Sequence, residues 1–179
     1  MSTSFLVSNT LSMKRFAAIF FCLALLCGCI REDKVGADVK VGDRLPKFEV
    51  VMNDGTLVTD ASLMGNVSLV MFFHTSCPDC QQALPRVQEI YEEYVQKGVR
   101  FALIGRECGT DEIEAYWIEN GLNMPYSAQD DRSVYSLFAS SRIPRIYISD
   151  ENGTVRYIFT DDPVATLEDL KSSLDVLIR

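Results

Sequence analysis

The feature that most constrains the fold is an apolar run that leads into two cysteines two residues apart. Val67 to Phe73 is apolar at every position except Ser68, which is typical of a strand covered on both faces. Cys77-Pro78-Asp79-Cys80 follows after three residues. The segment from Gln81 to Gln96 then carries apolar residues at helical spacing, namely Leu84, Val87, Ile90, Tyr91, Tyr94 and Val95. The sequence therefore predicts a strand, a dithiol and a helix in direct succession.

A dithiol at such a junction has a chemical advantage. The unpaired N–H groups of a helix's first turn and the helix dipole favour negative charge there. We therefore expect Cys77 to form a thiolate more readily than a free cysteine does, which predicts a redox-active pair with Cys80. A static structural disulfide is the alternative, and zinc sites also use a Cys-x-x-Cys spacing.

The N-terminal 28 residues have the pattern of an export signal. Two basic residues, Lys14 and Arg15, precede an apolar run from Phe16 to Leu26, which is too short for a ~20-residue membrane span. Leu26-Cys27-Gly28-Cys29 resembles the bacterial lipobox, in which the cysteine after a small residue is lipidated. The motif predicts a lipid anchor at Cys29 in the cell envelope, with the periplasmic face of the outer membrane favoured over the cell surface. A plain signal or an uncleaved anchor helix is the alternative, and Met13 is an alternative start.

We expect three segments: a signal peptide over residues 1–28, a lipidated polar tether over 29–40, and one domain over 41–179. The chain has 17 basic and 25 acidic side chains, a net charge of −8, and loss of the signal would remove two basic residues and no acidic ones. Such an acidic surface argues against nucleic acid as a partner.

Three cysteines remain in the expected domain, Cys77, Cys80 and Cys108. An odd number argues against a disulfide-stapled scaffold. One active pair and one inert thiol at Cys108 is the simplest interpretation, and a third redox thiol is the alternative.

The other patterns predict a mixed α/β domain. Asn53-Asp54-Gly55 indicates a hairpin turn between two short strands, and 61–65 is expected to be a linker. The further expected elements are strands at 99–105, 126–129, 145–149 and 154–159, and helices at 110–120 (with Trp117 in the core), 133–139 and from Pro163 to Leu177. A β-α-β unit forces a parallel strand pair whereas the late hairpin is antiparallel, so we expect a mixed central sheet with flanking helices.

In this context the chain resembles the thioredoxin superfamily, and within it the extracytoplasmic thiol-disulfide oxidoreductases of the TlpA/ResA type. The resemblance covers Val41 to Arg179 and is carried by Gly42-x-x-x-Pro46-x-Phe48, Phe72-Phe73-x-x-x-Cys77-x-x-Cys80-x-x-x-x-Pro85 and Arg142-Ile143-Pro144-Arg145-Ile146-Tyr147-Ile148. It implies a thioredoxin-like three-layer fold, with an N-terminal β-hairpin as an extension.

The resemblance also implies roles for individual residues. Cys77 would attack a partner's disulfide, and Cys80 would resolve the mixed disulfide. Pro144 would follow a cis peptide bond, and Ile143 would present its backbone to the substrate; an ordinary trans turn proline is the alternative. The implied partners are disulfide-bearing extracytoplasmic proteins and a membrane electron donor. Contact with the membrane would be through the N-terminal lipid only, and no bound cofactor or metal is implied.

The chain departs from that family pattern close to the dithiol. The two familiar proton acceptors for the resolving cysteine are absent, because Met71 and Ala83 occupy their places. His74 is interpreted either as a proton shuttle or cation near the thiolate, or as a polar residue at the end of a strand. Pro78 and Asp79 are expected to shape the site. Because the Asp79 carboxylate disfavours the Cys77 thiolate, we predict a reductant or mild exchanger rather than a strong oxidant.

The residues around the dithiol also bear on three other functions. A peroxiredoxin needs Pro-x-x-x-Thr-x-x-Cys at its nucleophile, and Val70 and His74 stand in those places. A Cu or Zn carrier would use Cys77 and Cys80 with His74, the sole histidine. A catalytically silent binding module of the same fold would not need the cysteine pair.

Overall fold

The computed structural model describes residues 38–178, so the predicted signal peptide, Cys29 and the first part of the tether lie outside the described residues. The described elements are β1 (Glu49–Val51), β2 (Leu57–Thr59), α1 (Asp60–Leu63), β3 (Ser68–Phe73), α2 (Pro78–Tyr94), a 3-10 turn (Val95–Lys97), β4 (Arg100–Gly105), α3 (Thr110–Asn120), β5 (Tyr126–Ser127), α4 (Ser133–Ser136), β6 (Arg145–Ser149), β7 (Val155–Phe159) and α5 (Leu167–Leu177).

Five strands form one mixed sheet in the order β5-β4-β3-β6-β7, and β1 and β2 pair separately as an antiparallel hairpin. Strand β3 runs parallel to β4 and antiparallel to β6, and all six of its residues are buried. A central strand needs an apolar run of this kind because both of its faces are covered. The predicted mixed sheet with an N-terminal hairpin and flanking helices is confirmed.

The pairing of β3 with β4 determines which loops meet. Phe73 pairs with Gly105, the last residues of the two strands. Because parallel strands end at the same edge of a sheet, the residues that follow β3 and those that follow β4 lie next to each other. The dithiol follows β3 at this edge.

Some predicted boundaries were wrong. The last helix begins at Leu167 rather than at Pro163, because Thr166 and Asp169 form a capping box at its N-terminus. Residues 60–63 form the short helix α1 where a linker was expected. Helix α4 ends at Ser136 rather than at residue 139, and Gly109 is the N-cap of α3.

The folded part includes residues 38–40, which the sequence analysis assigns to the tether. The Val39 N–H donates to the Phe138 carbonyl at 2.8 Å, and Asp38 pairs with Arg145 at 2.8 Å. Trp117 packs in the core as expected, and its Nε1 donates to the Met124 carbonyl. Over residues 38–178, none of the helices has the length and apolar character that a bilayer crossing requires.

Candidate functional site

The two cysteines lie at the N-terminus of α2, at the edge of the sheet where β3 and β4 end. Cys77 is the N-cap residue, Pro78 is the first helical residue and Asp79 lies in the first turn. Proline suits this position because its missing N–H would have no partner within the helix. The Cys77 N–H donates to the His74 carbonyl at 3.1 Å, and its own carbonyl accepts from the Gln81 N–H at 2.9 Å.

The cysteines differ in burial and therefore in chemistry. Cys77 is partly exposed, Cys80 is fully buried one turn further along, and both are free thiols. Burial raises the pKa of Cys80 because the interior disfavours the thiolate, while a backbone hydrogen bond from His74 and the positive charge of Arg106 act in the opposite direction. The pair thus consists of a solvent-accessible thiol, Cys77, and a thiol shielded from solvent, Cys80.

A second loop contacts the accessible thiol of Cys77. The Ile143–Pro144 peptide bond is cis and lies just before β6. The Cys77 Sγ lies 3.6 Å from the Ile143 carbonyl oxygen, within reach of the weak S–H donor. The Tyr135 hydroxyl donates to the Arg142 carbonyl at 2.6 Å and so anchors this loop from α4. The structure therefore brings Cys77, Ile143 and Pro144 together at one surface.

Comparison with known proteins identifies the family of the chain. The model of the AhpC/TSA family matches residues 41–158. The chain belongs to the AhpC/TSA family. It is similar to the protein named thiol-disulfide oxidoreductase ResA from Oceanobacillus iheyensis, with 25% identity over 158 residues that cover 86% of this chain and 80% of the relative.

Solved structures of the thioredoxin family have the same fold. A thiol:disulfide interchange protein from Chlorobium tepidum superposes with a TM-score of 0.67 at 21% identity, covering 80% of this chain and 100% of that one. The thioredoxin domain of a thiol-disulfide oxidoreductase from Bacteroides vulgatus gives 0.68 at 16% identity, covering 79% and 100%. The predicted fold and superfamily are confirmed, and the predicted enzyme class is the one that these proteins' names state.

In this member of the AhpC/TSA family, His74 points toward neighbours other than the dithiol. Its Nδ1 accepts from the Ser76 N–H at 3.1 Å and lies 3.6 Å from the Glu112 Oε1. Within residues 38–178, the ring makes no hydrogen bond to Cys77 or Cys80. The two interpretations of His74, as proton shuttle or as polar residue at a strand end, therefore both remain predictions.

The two positions at which the family pattern has a proton acceptor for the resolving cysteine are closed to solvent in this chain. Met71 on β3 and Ala83 on α2 are buried apolar residues. Arg106 carries a positive charge but cannot accept a proton: it directly follows β4, and its backbone N–H donates to the Phe73 carbonyl at 2.8 Å. Its Nε is the one buried side-chain nitrogen or oxygen in the described part of the chain without a hydrogen-bond partner. We infer that Arg106 favours the Cys80 thiolate electrostatically.

We expect Arg106→Met, made in a Cys77→Ser background, to slow alkylation of Cys80 by several-fold near neutral pH. The loss of the positive charge reduces the thiolate fraction, and Arg106→Lys should restore part of the rate. Because burial raises the pKa of Cys80, the rate should rise by about tenfold per pH unit from about pH 7 to 9. Peptide mapping by mass spectrometry measures the modification at Cys80.

The same reaction in urea is the control, since all variants should then react equally. An unchanged rate in Arg106→Met would contradict the role of Arg106. A plateau below about pH 9 would contradict the raised pKa.

Sequence reasoning missed Glu112, Thr75 and the position of Cys108. Cys108 is buried, and its Sγ lies 3.3 Å from the Thr75 hydroxyl, which donates to Glu112. Hydrogen bonding from Thr75 lowers the pKa of Glu112, with smaller effects from Cys108 and His74, and burial raises the pKa of Cys108. A usable signal existed, because Thr75 and Cys108 each follow one of two strands that were predicted to be parallel.

The structure also changes the possible metal ligands. The carrier alternative grouped His74 with Cys77 and Cys80. Across residues 38–178, the one set of three His, Cys, Asp or Glu side chains with ligand atoms within 4.8 Å of one another is His74, Cys108 and Glu112. The dithiol is not part of that set.

Proposed function

We propose that the chain is a lipid-anchored thiol-disulfide oxidoreductase that exchanges disulfides with extracytoplasmic proteins through Cys77 and Cys80. One observation carries the proposal: an accessible thiol at a helix N-cap, with a buried thiol one turn behind it and the Ile143 carbonyl in front of it. The names of the relatives support the same reaction. A silent binding module would have no need of paired thiols of unequal burial.

The reaction follows from the unequal burial. The Cys77 thiol loses its proton, and the resulting thiolate attacks one sulfur of a substrate disulfide, forming a mixed disulfide and releasing the other substrate sulfur as a thiolate that takes up a proton. Cys80 then loses its proton and attacks the Cys77 sulfur. The Cys77–Cys80 disulfide forms, and the second substrate thiolate leaves and is protonated. The substrate gains two electrons and two protons, and the enzyme loses them.

The cis-proline loop is the proposed binding edge for the substrate. Pro144 has no N–H, and the Ile143 backbone faces the Cys77 sulfur. An extended substrate segment would hydrogen-bond to the Ile143 backbone with its own disulfide next to Cys77. Pro78, Asp79 and His74 border the same thiol in sequence and would shape the remainder of this surface.

The direction of electron flow is proposed from Asp79. Its carboxylate lies in the first turn of α2, where a negative charge opposes a second negative charge on Cys77. A less stabilised thiolate gives a less oxidising couple, so the protein would act as a reductant or mild exchanger. Each turnover leaves a Cys77–Cys80 disulfide, which a membrane electron donor must reduce.

The proposed location rests on the N-terminal sequence. The apolar run from Phe16 to Leu26 and the lipobox ending at Cys29 support export and lipid attachment. The periplasmic face of the outer membrane remains the favoured site, and cell-surface exposure is the alternative.

Trapping of the mixed disulfide tests the proposal. Cys80→Ser should accumulate substrate proteins bound to Cys77, because the resolving thiol is gone. These adducts should appear in envelope fractions on non-reducing gels and disappear with dithiothreitol. The matched control, Cys77→Ser with Cys80→Ser, should trap none. Equal trapping by both variants would contradict the assignment of Cys77 as the attacking thiol.

A further inference from the structure

A cluster beside the dithiol combines His74, which borders Cys77, with three side chains that the disulfide chemistry above does not use. His74 and Thr75 follow β3, Cys108 follows β4, and Glu112 lies in the first turn of α3. The pairing of β3 with β4 brings these three segments together at one edge of the sheet. We propose that His74, Cys108 and Glu112 form a Zn²⁺ site, distinct from the dithiol.

One separation between ligand atoms already fits a small tetrahedral ion, and the others are close to it. The His74 Nδ1 and the Glu112 Oε1 lie 3.6 Å apart. Zinc bonds of about 2.0–2.3 Å place neighbouring tetrahedral ligands roughly 3.3–3.8 Å apart. The three ligand atoms all lie within 4.8 Å of one another, so the wider separations need to close by only about 1 Å.

The donor types select zinc over hard cations. One thiolate, one imidazole and one carboxylate form a mixed S, N and O set, which suits Zn²⁺ and does not suit Mg²⁺ or Ca²⁺. The thiolate and the carboxylate together balance the charge of the ion. The Nδ1 of His74 accepts a hydrogen bond from the Ser76 N–H, and the metal takes the place of that N–H on binding.

The surroundings of the three ligands also give the ion a path from solvent and a fourth ligand. Glu112 and Thr75 line a surface cavity of about 270 Å³, together with Ser76, Ala115, Tyr116 and Glu119. A hydrated ion can therefore reach Glu112 from solvent. The Thr75 hydroxyl contacts both the Cys108 thiol and the Glu112 carboxylate, so either this hydroxyl or a water from the cavity completes four-fold coordination.

Zinc binding by the metal-free full-length chain with Cys77→Ser and Cys80→Ser tests the site, because these changes remove the competing dithiol. Competition against a chromogenic chelator should show one Zn²⁺ per chain. Co²⁺ in place of zinc should give a thiolate-to-cobalt charge-transfer absorption. Adding Cys108→Ser should abolish that absorption and weaken zinc binding by at least about 100-fold. Cys22, Cys27 and Cys29 are changed to serine in every variant, so that these N-terminal thiols bind no metal.

Glu112→Gln and His74→Gln keep the assay decisive if Cys108→Ser does not fold, because both side chains are partly exposed. Each should weaken zinc binding by at least about tenfold. Glu119→Gln is the matched control: it changes a carboxylate of the same cavity outside the ligand set, and the affinity should stay the same. Absence of zinc binding in the Cys77→Ser, Cys80→Ser chain would overturn the site. So would an affinity that Glu112→Gln and His74→Gln leave unchanged.

Discussion

Replacement of Cys77 by serine is expected to reduce disulfide exchange by a factor on the order of 10³ or more, because the serine hydroxyl stays protonated and forms no mixed disulfide. Cys77 is the partly exposed member of the pair and lies 3.6 Å from the Ile143 carbonyl, so the buried Cys80 cannot replace it. Insulin reduction with dithiothreitol as the electron source measures the loss.

Gln82→Ser is the matched control for this change. It places the same side chain on an exposed position of α2, two residues after Cys80, and the rate should stay within about twofold of the unchanged chain. Retention of more than about a tenth of the rate by Cys77→Ser would contradict its role as the nucleophile.

The largest expected effect on stability comes from Phe72→Ala, with a loss of about 3–5 kcal/mol in the free energy of unfolding. Phe72 is fully buried on the central strand, and its ring lies 4.9 Å from that of Phe138 and 5.4 Å from that of Tyr135, measured between centroids. Truncation removes these contacts and leaves a cavity. Urea unfolding followed by circular dichroism measures the loss.

The control for this truncation is Ile118→Ala on α3, where the side chain is 75% exposed. Its cost should stay within about 0.5 kcal/mol, apart from a small effect of helix propensity. A cost below about 1 kcal/mol for Phe72→Ala would contradict the packing of Phe72 against Tyr135 and Phe138.

The sequence was most informative where one physical pattern determines the structure. The apolar run at Val67 to Phe73 predicted the buried central strand because only a strand covered on both faces tolerates so little polar alternation. The expected fold followed, because β-α-β connection and hairpin rules leave few topologies. Pro163 was misleading, because proline is a common residue at the start of a helix. The capping box at Thr166 determines where this helix begins.

The site could be predicted only in part from the sequence. The cysteine spacing indicated the dithiol because its members are neighbours along the chain. The surroundings of His74 depend instead on Glu112, which is distant in sequence and lies in another element. Likewise, the pKa of Cys80 depends on its burial and on the charge of Arg106, and neither has a local sequence pattern. The β3–β4 register was the missing information, because it determines which loop residues meet.

The reduction potential of the Cys77–Cys80 pair tests the central claim most directly. The chain would be equilibrated in glutathione buffers with a metal chelator, and mass spectrometry would locate the disulfide. We predict a reversible two-electron couple below about −220 mV, as suits a reductant supplied with electrons across the membrane. A value above about −150 mV would contradict the direction inferred from Asp79, and the absence of a reversible Cys77–Cys80 couple would contradict the oxidoreductase itself.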